Sequence, residues 1–168
     1  KHLGIHQPYN PFCEGCVLGK TRAIRHYARK FQRKITRPLQ LVTCDHVSMA
    51  TRLPTGEHRK GIRGSTDLLF LLDIDTGFRY SGAVNSKDMY DARMTIQYFQ
   101  GPDAKIELLY GDNAGCIKQA CLELLILFEP ATPGDPQNNG IAERGVGDTG
   151  DGIRSSLITA GLPACFWP

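Results

Sequence analysis

The stretch LLFLLDIDTGFRYSGAV, residues 68–84, decides the fold class of this 168-residue chain. Its first part, Leu68 to Ile74, is an apolar run of the kind that forms a buried strand. Thr76-Gly77 then supplies a turn, and Phe78 to Val84 alternates as a second strand. The stretch therefore predicts a β-hairpin.

Two acids stand just before the turn of this hairpin. Asp73 and Asp75 lie two apart on one strand face, so they could form a metal pair. Their position favours the other interpretation, in which they cap the hairpin and Arg79 is a partner.

Strands and helices extend outward from the hairpin on both sides. Upstream, Leu41, Thr43, Asp45 and Val47 share one face of a strand that we expect to pair antiparallel with the hairpin. Downstream, Ser86 is the expected N-cap of a helix that runs to Gly101-Pro102. A short strand follows at residues 105–110.

A second apolar stripe follows Gly115 at helical spacing. It comprises Ile117, Ala120, Cys121, Leu124 and Phe128, so a helix is predicted to end at Glu129-Pro130. The segment CLELLILFEPATPGDPQ, residues 121–137, then leaves little room for both the end of this helix and a fifth strand. The last helix, expected from Asn139 to Ala160, should be weak or broken because four glycines interrupt it: Gly145, Gly147, Gly150 and Gly152.

This order of elements predicts an α/β fold, with a mixed sheet of about five strands flanked by helices. The main domain is expected at residues 39–168. Residues 1–19 form a separate small segment and residues 20–38 a linker. With 41% hydrophobic residues, the chain can build one core. No stretch of 18 apolar residues occurs, so we expect a soluble, intracellular protein without membrane contact.

The linker is strongly basic. It carries no acidic residue, and its eight cations are Lys20, Arg22, Arg25, Arg29, Lys30, Arg33, Lys34 and Arg37. Such a segment suits a polyanion such as DNA, whose phosphates release counterions to Lys and Arg. A solvated linker with no partner is the alternative.

The first segment contains metal-ligand residue types. His2, His6, Cys13 and Cys16 follow the pattern H-x3-H-x6-C-x2-C, and two His with two Cys can close a tetrahedral zinc site. The alternative is an unstructured end in which the cysteine pair binds nothing.

Three acidic residues stand in distinctive contexts. Asp45 interrupts an apolar strand, Asp112 ends a strand in YGDNAG, and Glu143 follows in PQNNGIAER. Together with CEGCVLGK at residues 13–20 and LPACFWP at residues 162–168, they resemble the integrase of Ty1/copia-like retrotransposons and retroviruses. The resemblance covers nearly the whole chain and implies a ribonuclease H-like core. It also implies a preceding zinc-knuckle-like module and an origin as a polyprotein fragment.

The resemblance further implies an Asp-Asp-Glu polynucleotidyl transferase that cuts and joins DNA ends in the nucleus as a homo-oligomer. Two Mg²⁺ or Mn²⁺ ions, which prefer carboxylate ligands, would be held by Asp45, Asp112 and Glu143. Asp45 would bridge both ions. DNA would be contacted by the basic linker and by Gln137, Asn138 and Arg144.

Each acid has an ordinary structural alternative when it is considered singly. Asp45 could pair with an arginine, Asp112 could form a turn, and Glu143 could be an exposed helix residue. Two other functions therefore remain open. One is a catalytically inactive nucleic-acid-binding remnant of a retroelement polyprotein, and the other is ribonuclease H-type hydrolysis of an RNA-DNA hybrid.

Overall fold

The computed structural model describes residues 10, 12–13, 34–49, 51–52, 58–131 and 140–168. Its strands are β1 (Val42–Ser48), β2 (Thr51–Arg52), β3 (His58–Arg59), β4 (Asp67–Asp73), β5 (Arg79–Val84), β6 (Leu108–Gly111) and β7 (Leu127–Pro130). Its helices are α1 (Met89–Gln100), α2 (Gly115–Glu123) and α3 (Gly140–Ala160), and a 3-10 turn spans Ala164–Phe166. Most of the predicted segments 1–19 and 20–38 lies outside the described residues.

The strands form a mixed five-stranded sheet in the order β5-β4-β1-β6-β7, while β2 and β3 pair separately. The first three strands of the sheet are antiparallel neighbours, whereas β6 runs parallel to β1 and β7 parallel to β6. The α/β prediction of a mixed sheet flanked by helices is confirmed. The segment between β1 and β4 contains the small β2–β3 pair.

The β4–β5 hairpin forms as predicted, and Asp73 caps it. All seven residues of β4 are buried. Asp73 accepts hydrogen bonds from the backbone N–H of Leu39 at 3.1 Å and from the Thr76 hydroxyl at 2.6 Å. Arg79 was expected to be a partner of this acid, but it donates to Asp148 of α3 at 3.3 Å instead. The expected pairing was wrong because Arg79 lies opposite Leu72, on the other face of the sheet from Asp73.

One face of the sheet packs against α1 and α2. Apolar side chains of β1, β4 and β6 meet those of the two helices, namely Val42, Cys44, Leu69, Leu71, Leu109, Ala92, Ile96, Phe99, Ile117, Ala120 and Cys121. The N-cap of α1 is Asp88, whose carboxylate accepts from the Asp91 N–H at 2.8 Å. The prediction of Ser86 was wrong by two residues, because the Ser86 hydroxyl instead donates to Asp88.

The second helix is shorter than its apolar stripe indicated. It ends at Glu123, and Leu125 then adopts a φ of 55° that lets the chain leave the helix. Phe128, predicted as a helical residue, belongs to β7 and packs against the core from there. The expectation that residues 121–137 leave little room for both the helix and a fifth strand was therefore wrong, because α2 ends early enough for β7 to form.

The other face of the sheet is covered by α3, which is continuous over 21 residues. Leu68, Phe70 and Leu72 of β4 form the cluster beneath it, with Val146 and Ile153 packed against them. The prediction of a broken helix was wrong because close packing holds its first half. A Cβ at Gly145 would lie 2.4 Å from Cζ of Phe70, so only glycine lets the helix approach this ring. Near the end of the helix, Ile158 is 77% exposed, so α3 leaves the core there.

Candidate active site

Asp45 and Asp112 occupy equivalent places on two neighbouring parallel strands. The register pairs Val42 with Leu109 and Cys44 with Gly111, so Asp45 and Asp112 are the next residues of β1 and of the chain after β6. The carboxyl ends of parallel strands meet at one edge of a sheet. The two aspartates therefore emerge side by side at that edge.

A glycine permits the close approach of these strands. A Cβ at Gly111 would lie 2.5 Å from the Cys44 sulfur and 2.8 Å from the Cys44 carbonyl oxygen. Neither distance is tolerable, so Gly111 is required just before Asp112. Our sequence reasoning did not assign this role, although a glycine inside a strand often marks a close backbone approach.

Glu143 reaches the same edge from the first turn of α3. Asp45 pairs with Phe70 across β1 and β4, and this ring is the one that Gly145 contacts. Residues paired across antiparallel strands share a face, so Asp45 lies on the face covered by α3. Ala142 is fully buried at the start of the helix. These contacts hold the first turn of α3 at the level of Asp45.

Electrostatics shows that the three carboxylates share one neighbourhood. The pKa of Asp45 is raised from its ordinary 3.8 to about 6, first by burial and then by the negative charges of Asp112 and Glu143. Its backbone hydrogen bond with His46 and the nearby Lys87 act in the opposite direction. Asp45 is half-buried, whereas Asp112 and Glu143 are exposed. Burial and the two neighbouring carboxylates therefore outweigh the opposing effect of Lys87 on Asp45.

The donor set fits a hard divalent cation in its chemistry. Three carboxylates supply the oxygen ligands that Mg²⁺ and Mn²⁺ prefer, and the raised pKa of Asp45 indicates that added positive charge would be stabilising there. Within the described part of the chain, however, no three His, Cys, Asp or Glu side chains already stand at metal-binding distances. The carboxylates are neighbours, and a metal would have to draw them together.

Lys87 is a cation at this site that sequence reasoning missed. Its Nζ lies 3.4 Å from Oδ1 of Asp67, whose side chain is only 11% exposed. Asp67 pairs with Ser48 at the end of β1, which brings Lys87 close to Asp45 and His46. No motif pointed to Lys87, because its position depends on the strand pairing.

The other predicted site residues are distributed as follows. Arg144 is exposed beside Glu143, Lys34 is exposed, and Arg37 forms an ion pair with Glu107. Cys13 is half-buried, and its backbone N–H donates to the Asn10 carbonyl oxygen at 3.1 Å. The remaining ones lie outside the described residues, namely His2, His6, Cys16, Lys20, Arg22, Arg25, Arg29, Lys30, Arg33, Gln137 and Asn138.

The stability of the metal-free chain should depend on pH through Asp45. Because the folded-state pKa of about 6 exceeds the ordinary 3.8, ionisation of Asp45 costs folding free energy. This loss of folding free energy should be absent below pH 3.8, grow between pH 3.8 and about 6, and be complete above about pH 6. Urea unfolding of Asp45→Asn should therefore show a stability gain over the parent that rises between these pH values.

Asp103→Asn, which removes an exposed carboxylate after α1, controls for the loss of one negative charge. A gain for Asp45→Asn that is flat with pH would mean that the carboxylates do not interact as described.

Two solved structures, one of an intasome and one of an integrase core, have folds similar to that of this chain. A chain of the cryo-EM structure of the simian T-cell lymphotropic virus intasome, in complex with PP2A regulatory subunit B56 gamma, matches with a TM-score of 0.63 and 16% identity. The match covers 91% of this chain and 54% of that one, so the present chain spans about half its length. The catalytic core domain of BIV integrase matches with a TM-score of 0.51 and 17% identity, over 77% of this chain and 78% of that one.

These similarities show a fold like that of the integrase catalytic core, which is ribonuclease H-like. At such identities they show the fold alone. Neither the protein-family models nor the curated proteins gave a match. Among the described residues, no helix has the length and apolar character needed to cross a membrane.

Proposed function

We propose that this chain catalyses metal-dependent cleavage and strand transfer of DNA ends, as a polynucleotidyl transferase and endonuclease of the Asp-Asp-Glu type. The observation that supports the proposal is the register that puts Asp45 and Asp112 on neighbouring parallel strands, with Glu143 on the helix that covers the same face of an integrase-like sheet. The similar structures are described as an intasome and an integrase core, which supports DNA as the substrate.

In this proposal the three carboxylates would hold two Mg²⁺ or Mn²⁺ ions. The ions would supply charge stabilisation at the reacting phosphate and activation of the attacking oxygen. Asp45 would gain most from a bound cation, because burial and the charges of Asp112 and Glu143 raise its pKa. Gly111 and Gly145 fix the backbones that carry Asp112 and Glu143, so the chain contributes positioning of its ligands.

The same proposal assigns DNA contacts to cations around the edge. Arg144 is exposed next to Glu143 and would meet a phosphate beside the reacting one. The basic linker would add affinity that is independent of sequence. The zinc module, the homo-oligomer, the nuclear site of action and the origin in a retroelement polyprotein belong to this proposal as well.

Incubation of the chain with a double-stranded DNA end tests the proposal. We expect nicking near the end and joining to a target in the presence of Mg²⁺ or Mn²⁺, and neither reaction after chelation by EDTA, because the carboxylates alone repel the phosphate. Products would be resolved by length on denaturing gels. Cleavage that persists in EDTA would contradict a metal-dependent mechanism.

A second function is favoured by one observation. In the described part of the chain the carboxylates do not form a ready-made cluster of three metal ligands. Separated carboxylates of this kind are what a catalytically inactive, nucleic-acid-binding remnant would have. That function predicts salt-dependent DNA binding without any nicking when Mg²⁺ or Mn²⁺ is added.

A further inference from the structure

A cleft of about 200 Å³ opens between the end of β1 and the middle of α3. Its walls are mostly apolar and include Val47, Leu68 and Ile153, with Ser48 and Thr149 also lining it. Gly147 and Gly150 of α3 line it without side chains. Arg154 stands beside it. The cleft is smaller than the roughly 300–1,000 Å³ of pockets for drug-sized ligands, so it suits one ring system.

The cleft continues the carboxylate edge. Val47 follows Asp45 by two residues on the same face of β1, a separation of roughly 6.6 Å. Gly147 follows Glu143 by one turn of α3, a separation of roughly 6 Å. The cleft therefore borders both the strand that carries Asp45 and the helix that carries Glu143.

The chemistry of the cleft distinguishes it from the carboxylate edge. Its apolar walls can hold the faces of a flat ring by stacking and dispersion. Arg154 pairs with Asp151 and its side chain is 63% exposed. Because a guanidinium carries five N–H donors, this ion pair leaves others that can reach a phosphate. An apolar slot with a cation beside it matches a nucleotide whose base enters and whose phosphate stays outside.

We propose that this cleft holds a single unpaired nucleobase of the DNA strand, adjacent to the phosphate at Asp45, Asp112 and Glu143. The inference rests on the proposed function and deepens it by naming a base subsite. Extruding the base costs little at a frayed DNA end, so the cleft selects ends over uninterrupted duplex.

Filling the cleft without harming the helix tests this subsite. A Cβ at Gly150 would meet only Arg154, with Nη1 at 3.6 Å, so Gly150→Leu can project into the cleft. Leucine also has a higher helix propensity than glycine, so α3 should not be weakened. Gly152→Leu is the matched control, because nothing lies within 4 Å of a Cβ at Gly152.

The measurement is DNA-end affinity by fluorescence anisotropy, in the full chain carrying Asp45→Asn so that DNA is not consumed. Each nucleotide flanking the reacting phosphate is replaced in turn by an abasic unit. In the parent and in Gly152→Leu, one abasic unit should weaken binding about 5- to 150-fold, the effect of losing one stacked base. Gly150→Leu should bind the intact DNA end more weakly than the parent by the same factor. The abasic unit should then not weaken its binding any further.

An abasic penalty that survives in Gly150→Leu, or that is missing from the parent at both positions, would overturn the base subsite. Gly150→Ala provides a second variant if the leucine lowers the melting temperature, and it should show an intermediate loss of the penalty. Because the readout is binding, it is separate from the nicking assay. If the parent chain does not nick DNA but the abasic unit still weakens binding as described, the catalytic proposal is wrong and the base subsite stands.

Discussion

Asp45→Asn is expected to abolish Mg²⁺-dependent nicking and joining of a DNA end. The negative charges of Asp112 and Glu143 both raise the pKa of Asp45, so this carboxylate is the one that a bound cation would stabilise most. An amide cannot supply the negative charge. Since metal ions contribute several kcal/mol to such reactions, the loss should exceed about 100-fold in rate.

The fold should survive this change, which separates catalysis from stability. Ionised Asp45 is unfavourable in the metal-free protein at neutral pH, so its neutral replacement should unfold at the same urea concentration or a higher one. Asp103→Asn should nick and join like the parent. Activity of Asp45→Asn close to that of the parent would eliminate the two-metal mechanism at this site.

Gly145→Val is expected to have the largest effect on stability. The first added carbon would lie 2.4 Å from Cζ of Phe70, a ring that is completely buried and cannot move aside. Overpacking of this kind costs about 1–3 kcal/mol, and it outweighs the few tenths of a kcal/mol that valine gains over glycine in helix propensity. Urea unfolding should therefore show a net loss of about 2 kcal/mol.

Gly152→Val is the matched control in the same helix, because a Cβ there meets open space. It should be neutral or slightly stabilising. Phe70→Leu combined with Gly145→Val should give less than the sum of the two single losses, since the smaller side chain leaves room for the valine. Equal stability of the two glycine variants would show that α3 does not pack on Phe70 as described.

Gly145→Val should also lower catalysis beyond its effect on folding. Glu143 lies two residues before Gly145, so displacement of the first turn moves this carboxylate away from Asp45. We expect DNA nicking to fall more than the folded fraction does. Affinity for DNA that depends on the basic linker should change little.

Sequence pattern was sufficient for the sheet and for the pair of aspartates. Alternating and continuous apolar runs identified β1 and the hairpin, and YGDNAG placed an acid at the end of β6. The sequence pattern could not predict where α2 ends. Short apolar runs suit a helix or a strand equally, and only pairing with β6 places Phe128 in β7.

The glycines of α3 illustrate a second limit. Counted by propensity, they weaken a helix, and this reasoning predicted a break. Their packing environments differ, since Gly145 contacts a buried ring, Gly150 lines a cleft and Gly152 faces open space. A one-dimensional sequence cannot distinguish these environments, because they depend on which strand lies beneath each turn.

The residues after α3 include a tryptophan whose fluorescence reports on the packing beneath this helix. Trp167, the single tryptophan of the chain, packs against the cluster of Leu68, Phe70 and Leu72 beneath α3, and the neighbouring Pro168 lies against Gly61. Its emission wavelength therefore depends on whether that face of the sheet is covered. No indole lies on the face covered by α1 and α2, so loosening there leaves the emission unchanged. Tryptophan fluorescence thus reports on the α3 side of the sheet, whereas circular dichroism reports on the secondary structure of both sides together.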